Sequence, residues 1–278
     1  MFLLSKDIHA RGVENKIEVT RMQHIMSINN PQVKSWRKLK NKKERNKKNT
    51  YLIEGFHLIE EAMTHESESI KKIILRDDVL EETEIKKILQ EFDERKLVIV
   101  TKEIADGLAE TETSQGIFAV MAIPEQKEKD PIHGPFLLLD AVQDPGNVGT
   151  MIRTADAAGF QAVILGKGTV DLYNDKTLRA AQGSHFHLDV YEADLIDFIE
   201  AFKKQGFPVF GTALNQEAKS YKEVQVDQAF SLVVGNEGAG ISEEVMELVD
   251  QNIYIPMKGQ TESLNVAIAS SILMFYLN

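Results

Sequence analysis

Three polar segments in the second half of the chain have the composition of a functional site. They cover residues 139–160, 234–242 and 255–267, and each follows a short apolar run of the length of a strand. In open α/β sheets, ligands bind beyond the carboxyl ends of the strands. We therefore expect the three segments to meet at one edge of a sheet.

The side chains in these segments include an arginine, a carboxylate close to three glycines and short polar groups. Arg153 lies two turns into a predicted helix, among small residues, and its permanent positive charge excludes it as a simple base. Glu237 supplies a carboxylate close to three glycines, which let the backbone pass near a flat or anionic ligand. The short polar side chains are Asn147, Ser263 and Asn265.

Several other chemistries are excluded by what the sequence lacks. Neither a dinucleotide-binding G-x-G-x-x-G pattern nor a Walker-type phosphate loop is present, which argues against a nicotinamide-dependent oxidoreductase and against an NTPase. The chain has no cysteine, so disulfides, cysteine-ligated zinc, iron–sulfur clusters and thiol catalysis are excluded. The spacing of the seven histidines does not indicate a metal site, and His185 and His187 alternate along a predicted strand. We expect no metal.

Alternating apolar patterns predict two α/β units separated by a linker at residues 125–135. In the first unit the pattern predicts strands at 51–54, 70–75, 96–100 and 117–123, and helices at 55–63, 82–92 and 102–109. In the second unit, residues 136–278, it predicts strands at 136–139, 162–165, 186–190, 209–212, 230–234 and 253–255. The helices predicted there are 147–158, 175–181, 194–205, 243–249 and 264–277. Asn147 is a candidate cap for the first of these helices.

A strongly basic segment precedes the first unit. Residues 22–50 hold nine basic groups and one acidic group, whereas residues 51–135 and 136–278 each have a net charge of −10. Val33, Trp36 and Leu39 share one helical face, which predicts a short basic helix over residues 34–48. We expect it to bind a polyanion, although a solvated, mobile arm is the alternative. The cations predicted to contact RNA are Lys34, Arg37, Lys38, Lys42, Lys43, Lys47 and Lys48.

The overall composition is that of a globular protein. The 278 residues are 43% hydrophobic and 27% charged, which excludes wholesale disorder. No apolar run approaches the ~20 residues of a membrane span, and the first residues contain no signal-peptide core. We therefore expect a cytoplasmic protein without a membrane partner. Residues 1–21 show no periodicity and are predicted to be a tail, or the product of a start codon assigned too early.

Together and in this order, the three segments resemble the three signature motifs of the SpoU branch of the SPOUT methyltransferases. The resemblance, which is to the TrmH-like members with an N-terminal RNA-binding domain, covers nearly all of residues 136–278, including residues 179–184 between the first two motifs. More loosely, residues 51–123 resemble the ribosomal-protein-like domain that precedes the catalytic domain in many members. One departure is visible: Ala267 stands where the family usually has Ser.

The resemblance implies a fold and an activity that periodicity does not predict. Family members transfer a methyl group from S-adenosylmethionine to a ribose 2′-hydroxyl of RNA, contain a trefoil knot beside a parallel sheet, and act as homodimers. The helix at 264–277 is apolar on more than one face, which agrees with burial against a second subunit. The predicted division is an RNA-binding part, residues 22–124, and a catalytic part, residues 136–278.

The resemblance also assigns roles to individual residues. Arg153 is the catalytic arginine, with Asn147, Glu237, Ser263 and Asn265 holding the geometry of the site or the substrate, and Glu237 is a candidate partner of Arg153. The residues expected to bind the cofactor are Gly235, Asn236, Gly238, Ile255, Met257, Leu264 and Asn265. Plainer roles stay open: a surface ion pair for Arg153, helix capping for Asn147, Ser263 and Asn265, a solvated carboxylate for Glu237, and core packing for Leu264.

The activity expected from the resemblance is 2′-O-methylation of RNA, with ribosomal RNA as the favoured substrate. A tRNA ribose methyltransferase is the alternative within the same class. An RNA-binding or ribosome-assembly protein without catalytic activity is the alternative outside it. A pure binding protein needs neither Arg153 nor Glu237, which argues against this last alternative.

Overall fold

A computed structural model describes residues 22–125, 132–213, 215 and 217–278. The predicted tail, residues 1–21, and residues 126–131 of the predicted linker lie outside the described residues. The described chain forms a five-stranded sheet followed by a seven-stranded sheet, each covered by helices. We call the parts that contain these sheets the first unit and the second unit.

The first unit is a mixed sheet in the order β1-β4-β3-β5-β2. β1, β4 and β3 are parallel, and β5 is antiparallel to both β3 and β2. Its strands are β1 (Gln23–Ile25), β2 (Thr50–Glu54), β3 (Ile70–Arg76), β4 (Leu97–Val100) and β5 (Ile117–Ala122). Its helices are α1 (Pro31–Arg37), α2 (Lys42–Lys48), α3 (Phe56–His65), α4 (Thr83–Glu91) and α5 (Lys102–Leu108).

The second unit is a fully parallel sheet in the order β10-β12-β9-β11-β6-β7-β8. Its strands are β6 (Phe136–Leu139), β7 (Ala162–Leu165), β8 (Asp189–Glu192), β9 (Val209–Thr212), β10 (Lys219–Ser220), β11 (Ser231–Val234) and β12 (Gln251–Tyr254). Its helices are α6 (Pro145–Ala157), α7 (Asp175–Ala181), α8 (Leu195–Lys203), α9 (Glu243–Met246) and α10 (Val266–Leu277). The parallel sheet predicted for this unit is confirmed.

The apolar runs of the central strands are explained by burial on both faces of this sheet. In β6, Leu137 and Leu139 pack into a core that includes residues of α6 and α10, whereas Phe136 and Leu138 pack into a core that includes residues of α8 and α9. All four side chains are buried. Strands covered on both sides need apolar residues at every position, which is why their sequences are continuous rather than alternating.

The two units share buried contacts. The ring of Tyr51 packs on that of Tyr173 with centroids 4.3 Å apart, and Leu178 is buried in the core of the first unit. The guanidinium of Arg45 forms a buried ion pair with Asp171. The first unit therefore lies directly against the segment around α7.

The basic segment departs from the predicted single helix. It consists of α1, a 3-10 turn at Lys38–Lys40 and α2, because Asn41 is extended and caps α2. Val33, Trp36 and Leu39 are buried as predicted. The segment packs against the first unit through these three side chains and pairs with the second unit through Arg45 and Lys42.

The strand predicted at residues 186–190 begins three residues later than predicted and ends at Glu192. Ser184–Phe186 form a 3-10 turn, and β8 begins at Asp189. Gly183, with a φ of +93°, turns the chain, and Phe186 packs against the core of the first unit. His185 and His187 therefore do not alternate along a strand. The strands β1 and β10 are short and were missed.

Among the described residues, no helix is long and apolar enough to span a membrane. The trefoil knot implied by the resemblance stays a prediction.

Candidate active site

The three signature segments lie at the carboxyl ends of β6, β11 and β12. β6 and β11 are neighbours in the middle of the sheet, and β12 is separated from β11 by β9. The chain continues from β6 to β7 on one side, whereas β9 and β12 lie on the other side of β11. This change of direction between β6 and β11 is the position at which open α/β sheets bind ligands.

Helix α6 begins two residues earlier than predicted. Asp144, rather than Asn147, is its N-cap, and its carboxylate accepts the backbone N–H of Asn147 at 2.9 Å. Pro145 occupies the first turn, where its missing N–H costs nothing. The hydrogen bond from the Asn147 backbone and that from Lys176 lower the pKa of Asp144. The side chain of Asn147 is therefore available for other contacts.

Side-chain hydrogen bonds join the three loops. Asn147 Nδ2 donates to Glu237 Oε1 at 3.0 Å, and Asn265 Nδ2 donates to Asn147 Oδ1 at 3.0 Å. Asn265 also caps α10 by accepting from the backbone N–H groups of Ala267 and Ile268. One continuous chain of hydrogen bonds thus runs from the second motif through the first to the third.

The direction of this chain is fixed at both ends. The N–H groups of α10 can only donate, so the oxygen of Asn265 faces the helix and its NH₂ faces Asn147. A charged Glu237 can only accept, so Asn147 must turn its NH₂ toward Glu237 and its oxygen toward Asn265. Both amides satisfy these requirements at once, and replacing either amide would interrupt the chain.

Glu237 is held as a carboxylate by the first loop. It accepts the backbone N–H groups of Gln143 at 3.1 Å and of Asp144 at 3.0 Å. Partial burial raises the pKa of Glu237, but the hydrogen bonds from Asn147 and from these backbone groups outweigh it and lower the pKa. The expected pair between Glu237 and Arg153 is not formed in the described structure.

Arg153 projects to solvent from α6. Its side chain is exposed, and among the described residues it has no ion pair. The surface salt bridge considered as its plainer role is therefore absent from the described part of the chain. A guanidinium left uncompensated beside the first motif is available to an anionic group of a substrate.

The second loop is a tight turn organised by Asn236. Its Oδ1 accepts the N–H groups of Gly238 and Ala239 at 2.9 Å, and its Nδ2 donates to the carbonyl of Ala141 at 2.9 Å. A Cβ on Gly235 would lie 2.1 Å from the backbone of Gly240, so no larger residue fits there. Ala141 itself has a φ of +54°, a strained conformation held by this bond between loops.

The third loop offers backbone groups to a ligand. Within the described structure, residues 257–264 form no backbone–backbone hydrogen bond, and the carbonyl of Ser263 accepts only the hydroxyl of Thr261. Ser263 is exposed, while Ile255, Met257 and Leu264 are half-buried. The loop thus has backbone amides available beside apolar side chains. Ala267 is buried in the first turn of α10.

Two supporting residues were missed in the sequence. Asp140, which follows β6 directly, accepts the N–H and the hydroxyl of Ser242 at 2.7 and 2.8 Å and ties the first loop to the second. Gly149 lets α6 approach α7, because a Cβ there would lie 2.4 Å from the carbonyl of Thr177. The position of Asp140 immediately after a buried strand was a usable signal, whereas the role of Gly149 depends on helix packing.

Of the predicted RNA-contacting cations, two bind other side chains within the described structure and five do not. Lys42 pairs with Glu192 of the second unit at 2.7 Å, and Lys48 donates to the hydroxyl of Ser35 at 2.8 Å. The others are exposed and have no ion pair within the described structure; they are Lys34, Arg37, Lys38, Lys43 and Lys47.

Comparisons with known proteins agree with this geometry. Residues 134–275 match the SpoU rRNA Methylase family, and residues 30–119 match the MRM3-like substrate binding domain. The chain is 46% identical to the 23S rRNA (guanosine(2553)-2′-O)-methyltransferase RlmP of Bacillus subtilis, over 92% of this chain and 99% of that protein.

Solved structures show the same architecture. An AdoMet-bound rRNA methyltransferase from Sinorhizobium meliloti superposes with a TM-score of 0.79 at 29% identity, covering 92% of this chain and 97% of that one. An RNA 2′-O ribose methyltransferase gives a TM-score of 0.78 at 27% identity, covering 91% and 97%. With this architecture and with the three motifs joined at one edge of the sheet, the chain belongs to the SpoU rRNA methylase family.

Proposed function

We propose that this protein methylates the ribose 2′-hydroxyl of a guanosine in 23S rRNA, using S-adenosylmethionine. The observation that carries the proposal is the hydrogen-bond chain Glu237–Asn147–Asn265, which joins all three motifs. It fixes the polar groups of the site before any substrate arrives, as electrostatic catalysis requires. An RNA-binding protein without catalytic activity has no need of such a network.

Arg153 is assigned to the substrate. A ribose hydroxyl is a weak nucleophile near neutral pH, so it must be oriented and its developing negative charge stabilised. The exposed guanidinium of Arg153 can hold an adjacent phosphate or the developing oxyanion, while phosphate or water accepts the proton. Asn147 and Ser263 present short polar groups for orienting the ribose. S-adenosylmethionine supplies the methyl group when bound.

The cofactor is assigned to the second and third loops. The turn around Asn236, with Gly235 and Gly238, and the available backbone of Met257 and Leu264 would hold the adenosine. Ile255 would cover one side of it and Asn265 would border the methionine end. The half-buried apolar side chains and the unpaired amides of the third loop support this assignment.

The first unit is assigned to RNA binding. It matches a substrate-binding domain over residues 30–119, and the exposed lysines of α1 and α2 supply positive charge on an otherwise acidic protein. The proposed boundaries follow the two sheets, with residues 22–124 binding RNA, residues 125–135 linking the units and residues 136–278 carrying the catalytic site. We also propose a cytoplasmic location, which agrees with the proposed rRNA substrate.

A homodimer is proposed through α10. Ile268, Ile272 and Phe275 are exposed by 51%, 37% and 62%, and their spacing places them on one face of the helix. Exposed apolar side chains in contiguous positions mark interaction surfaces. Sedimentation should give a dimer at micromolar concentration, and Phe275→Asp should shift it to the monomer. A wild-type monomer would contradict the proposal.

The substrate is tested by methylation in vitro. The protein is incubated with labelled S-adenosylmethionine and 23S rRNA from a strain lacking the gene, and the methylated nucleotide is mapped. We expect label at the guanosine equivalent to position 2553, the position named for the Bacillus subtilis relative. Bulk tRNA from the same strain is the control. Label in tRNA alone would favour the tRNA alternative, and no label in either would favour a binding protein without activity.

A further inference from the structure

Three side chains that can bind a metal meet where α3 of the first unit contacts the loop before β8. Glu61 and His65 lie one turn apart on α3, and His187 comes from the second unit. His187 Nε2 lies 2.8 Å from Glu61 Oε2, and His65 Nε2 lies 3.7 Å from the same oxygen. The three donor atoms lie within 4.8 Å of one another.

Contrary to the expectation from histidine spacing, we propose that Glu61, His65 and His187 form a zinc site that joins the two units. Zinc binds imidazole nitrogen and carboxylate oxygen at ~2.0–2.2 Å in tetrahedral geometry, so neighbouring ligand atoms are about 3.3 Å apart. The separations of 2.8 and 3.7 Å lie on either side of that value, and small side-chain rotations would equalise them. Water would occupy the fourth position, since all three side chains are partly exposed.

A fourth side chain supports the arrangement from outside. Asp156 Oδ2 lies 3.2 Å from His187 Nδ1, so the Nδ1–H of His187 can donate to Asp156 while Nε2 is directed at Glu61. Metal-binding histidines usually donate their second ring N–H to a carboxylate in this way. Glu61 and Asp156 together also offset the charge of a divalent cation.

The backbone brings His187 to this place independently of any metal. Gly183 has a φ of +93°, and a Cβ there would lie 2.8 Å from Glu61 Cγ, so the close approach of the loop to α3 requires glycine. The carbonyl of Gln182 is hydrogen-bonded by His57 Nε2 at 3.0 Å, which fixes the loop to α3 a second time. The ligands are therefore largely preorganised.

The ligand set selects zinc over the common hard cations. Two imidazoles and one carboxylate suit zinc and neighbouring transition metals, whereas magnesium and calcium prefer ligand shells made only of oxygen. Asp156 belongs to α6, the helix that carries Asn147 and Arg153. A metal here would hold the first unit against that helix, which is a structural role separate from methyl transfer.

The test measures zinc binding to the full-length protein without a polyhistidine tag, after removal of metal with EDTA. Calorimetry with ZnCl₂ should give one zinc per chain. His65→Ala and His187→Ala should each weaken binding at least ~100-fold, and Asp156→Asn about 10-fold, as for other residues that support a metal ligand. His24→Ala is the control, because it removes an exposed histidine of β1 that lies outside the cluster, and its affinity should be native. Circular dichroism verifies the fold of each variant.

Cobalt provides a second readout that needs no variant. Co²⁺ in the wild-type protein should show the intense visible absorption of a tetrahedral site, and added Zn²⁺ should abolish it. Native zinc affinity in both His65→Ala and His187→Ala, equal weakening in His24→Ala, or a cobalt spectrum like that of the aqueous ion would each overturn the proposal. In the last case the cluster is a hydrogen-bonded contact only.

Discussion

At the scale of single residues, the candidate active site is joined by two amides, Asn147 and Asn265, whose orientations are determined by their partners. Asn147, Asn265 and Glu237 lie in segments that follow predicted strands, and the family resemblance gave them their expected roles. Their mutual contacts were not, because Asn147 lies 90 positions from Glu237 and 118 from Asn265 along the chain. The predicted pair of Glu237 with Arg153 is absent from the described structure, because Asn147 and the backbone N–H groups of Gln143 and Asp144 already donate to the carboxylate.

Replacing Arg153 should separate catalysis from cofactor binding. Arg153→Ala should lower methyl transfer by at least ~100-fold, comparable to the loss of one group that stabilises a developing oxyanion. Calorimetric affinity for S-adenosylmethionine should stay unchanged, because the guanidinium is assigned to the RNA. Arg153→Lys should also be poor, since an ammonium cannot reproduce the planar fork of donors. Arg95→Ala, at an exposed site in the first unit, is the control. Near-native turnover of Arg153→Ala would refute the assigned role.

Replacing the amide of Asn147 in the hydrogen-bond chain should also impair turnover. Asn147→Asp replaces the NH₂ that faces Glu237 with a carboxylate oxygen and sets two negative charges against each other. A hydrogen bond to a charged group is worth about 1.5–3 kcal/mol, so we expect a loss of ~10- to 100-fold in kcat/KM. Adding Glu237→Gln should recover part of the loss, because it removes one of the two opposed negative charges. Strictly additive effects of the two substitutions would contradict a direct coupling.

At the scale of elements, the fully buried strands were the most predictable. β6, β7 and β11 are apolar at nearly every position because both faces are covered, and their predicted and observed bounds agree within one residue. The segment before β8 was also predicted to be a strand of the second sheet, but its Phe186 packs against the core of the first unit instead. Hydrophobic pattern alone cannot distinguish these two kinds of burial.

The contact of α6 with α7 gives a prediction at this scale. Gly149→Ala would place a methyl group 2.4 Å from the carbonyl of Thr177 and 2.5 Å from Ala180 Cβ, so the helices must separate. Overpacking of this kind costs about 1–3 kcal/mol, to be measured by urea unfolding. The control is Gly259→Ala, where the added methyl would meet no atom within 4 Å. Equal free energies of unfolding for the two variants would show that α6 and α7 can separate without a measurable cost.

At the scale of the whole molecule, some cations of the basic segment pair with the second unit, and others are left exposed. The sequence located the positive charge correctly but could not tell which cations would be used internally. Arg45 is buried against Asp171, and Lys42 pairs with Glu192, so part of the basic segment holds the two units together. The remaining exposed lysines are the ones that an RNA backbone can reach.

These exposed lysines should govern how salt weakens RNA binding. Each phosphate contact contributes a slope of about −0.7 to −0.9 to log affinity against log salt, because counterions are released. The triple variant Lys38→Gln, Lys43→Gln and Lys47→Gln should therefore flatten the slope by up to ~2–3 units, and by similar amounts for different RNA sequences, since phosphate contacts do not read bases. Affinity is measured for a fragment of 23S rRNA by filter binding at several salt concentrations. The control replaces Lys71, Lys86 and Lys87 on β3 and α4, which removes the same charge from elsewhere in the first unit. Equal slopes in the two triple variants would mean that general charge attracts the RNA and that α1 and α2 do not dock it.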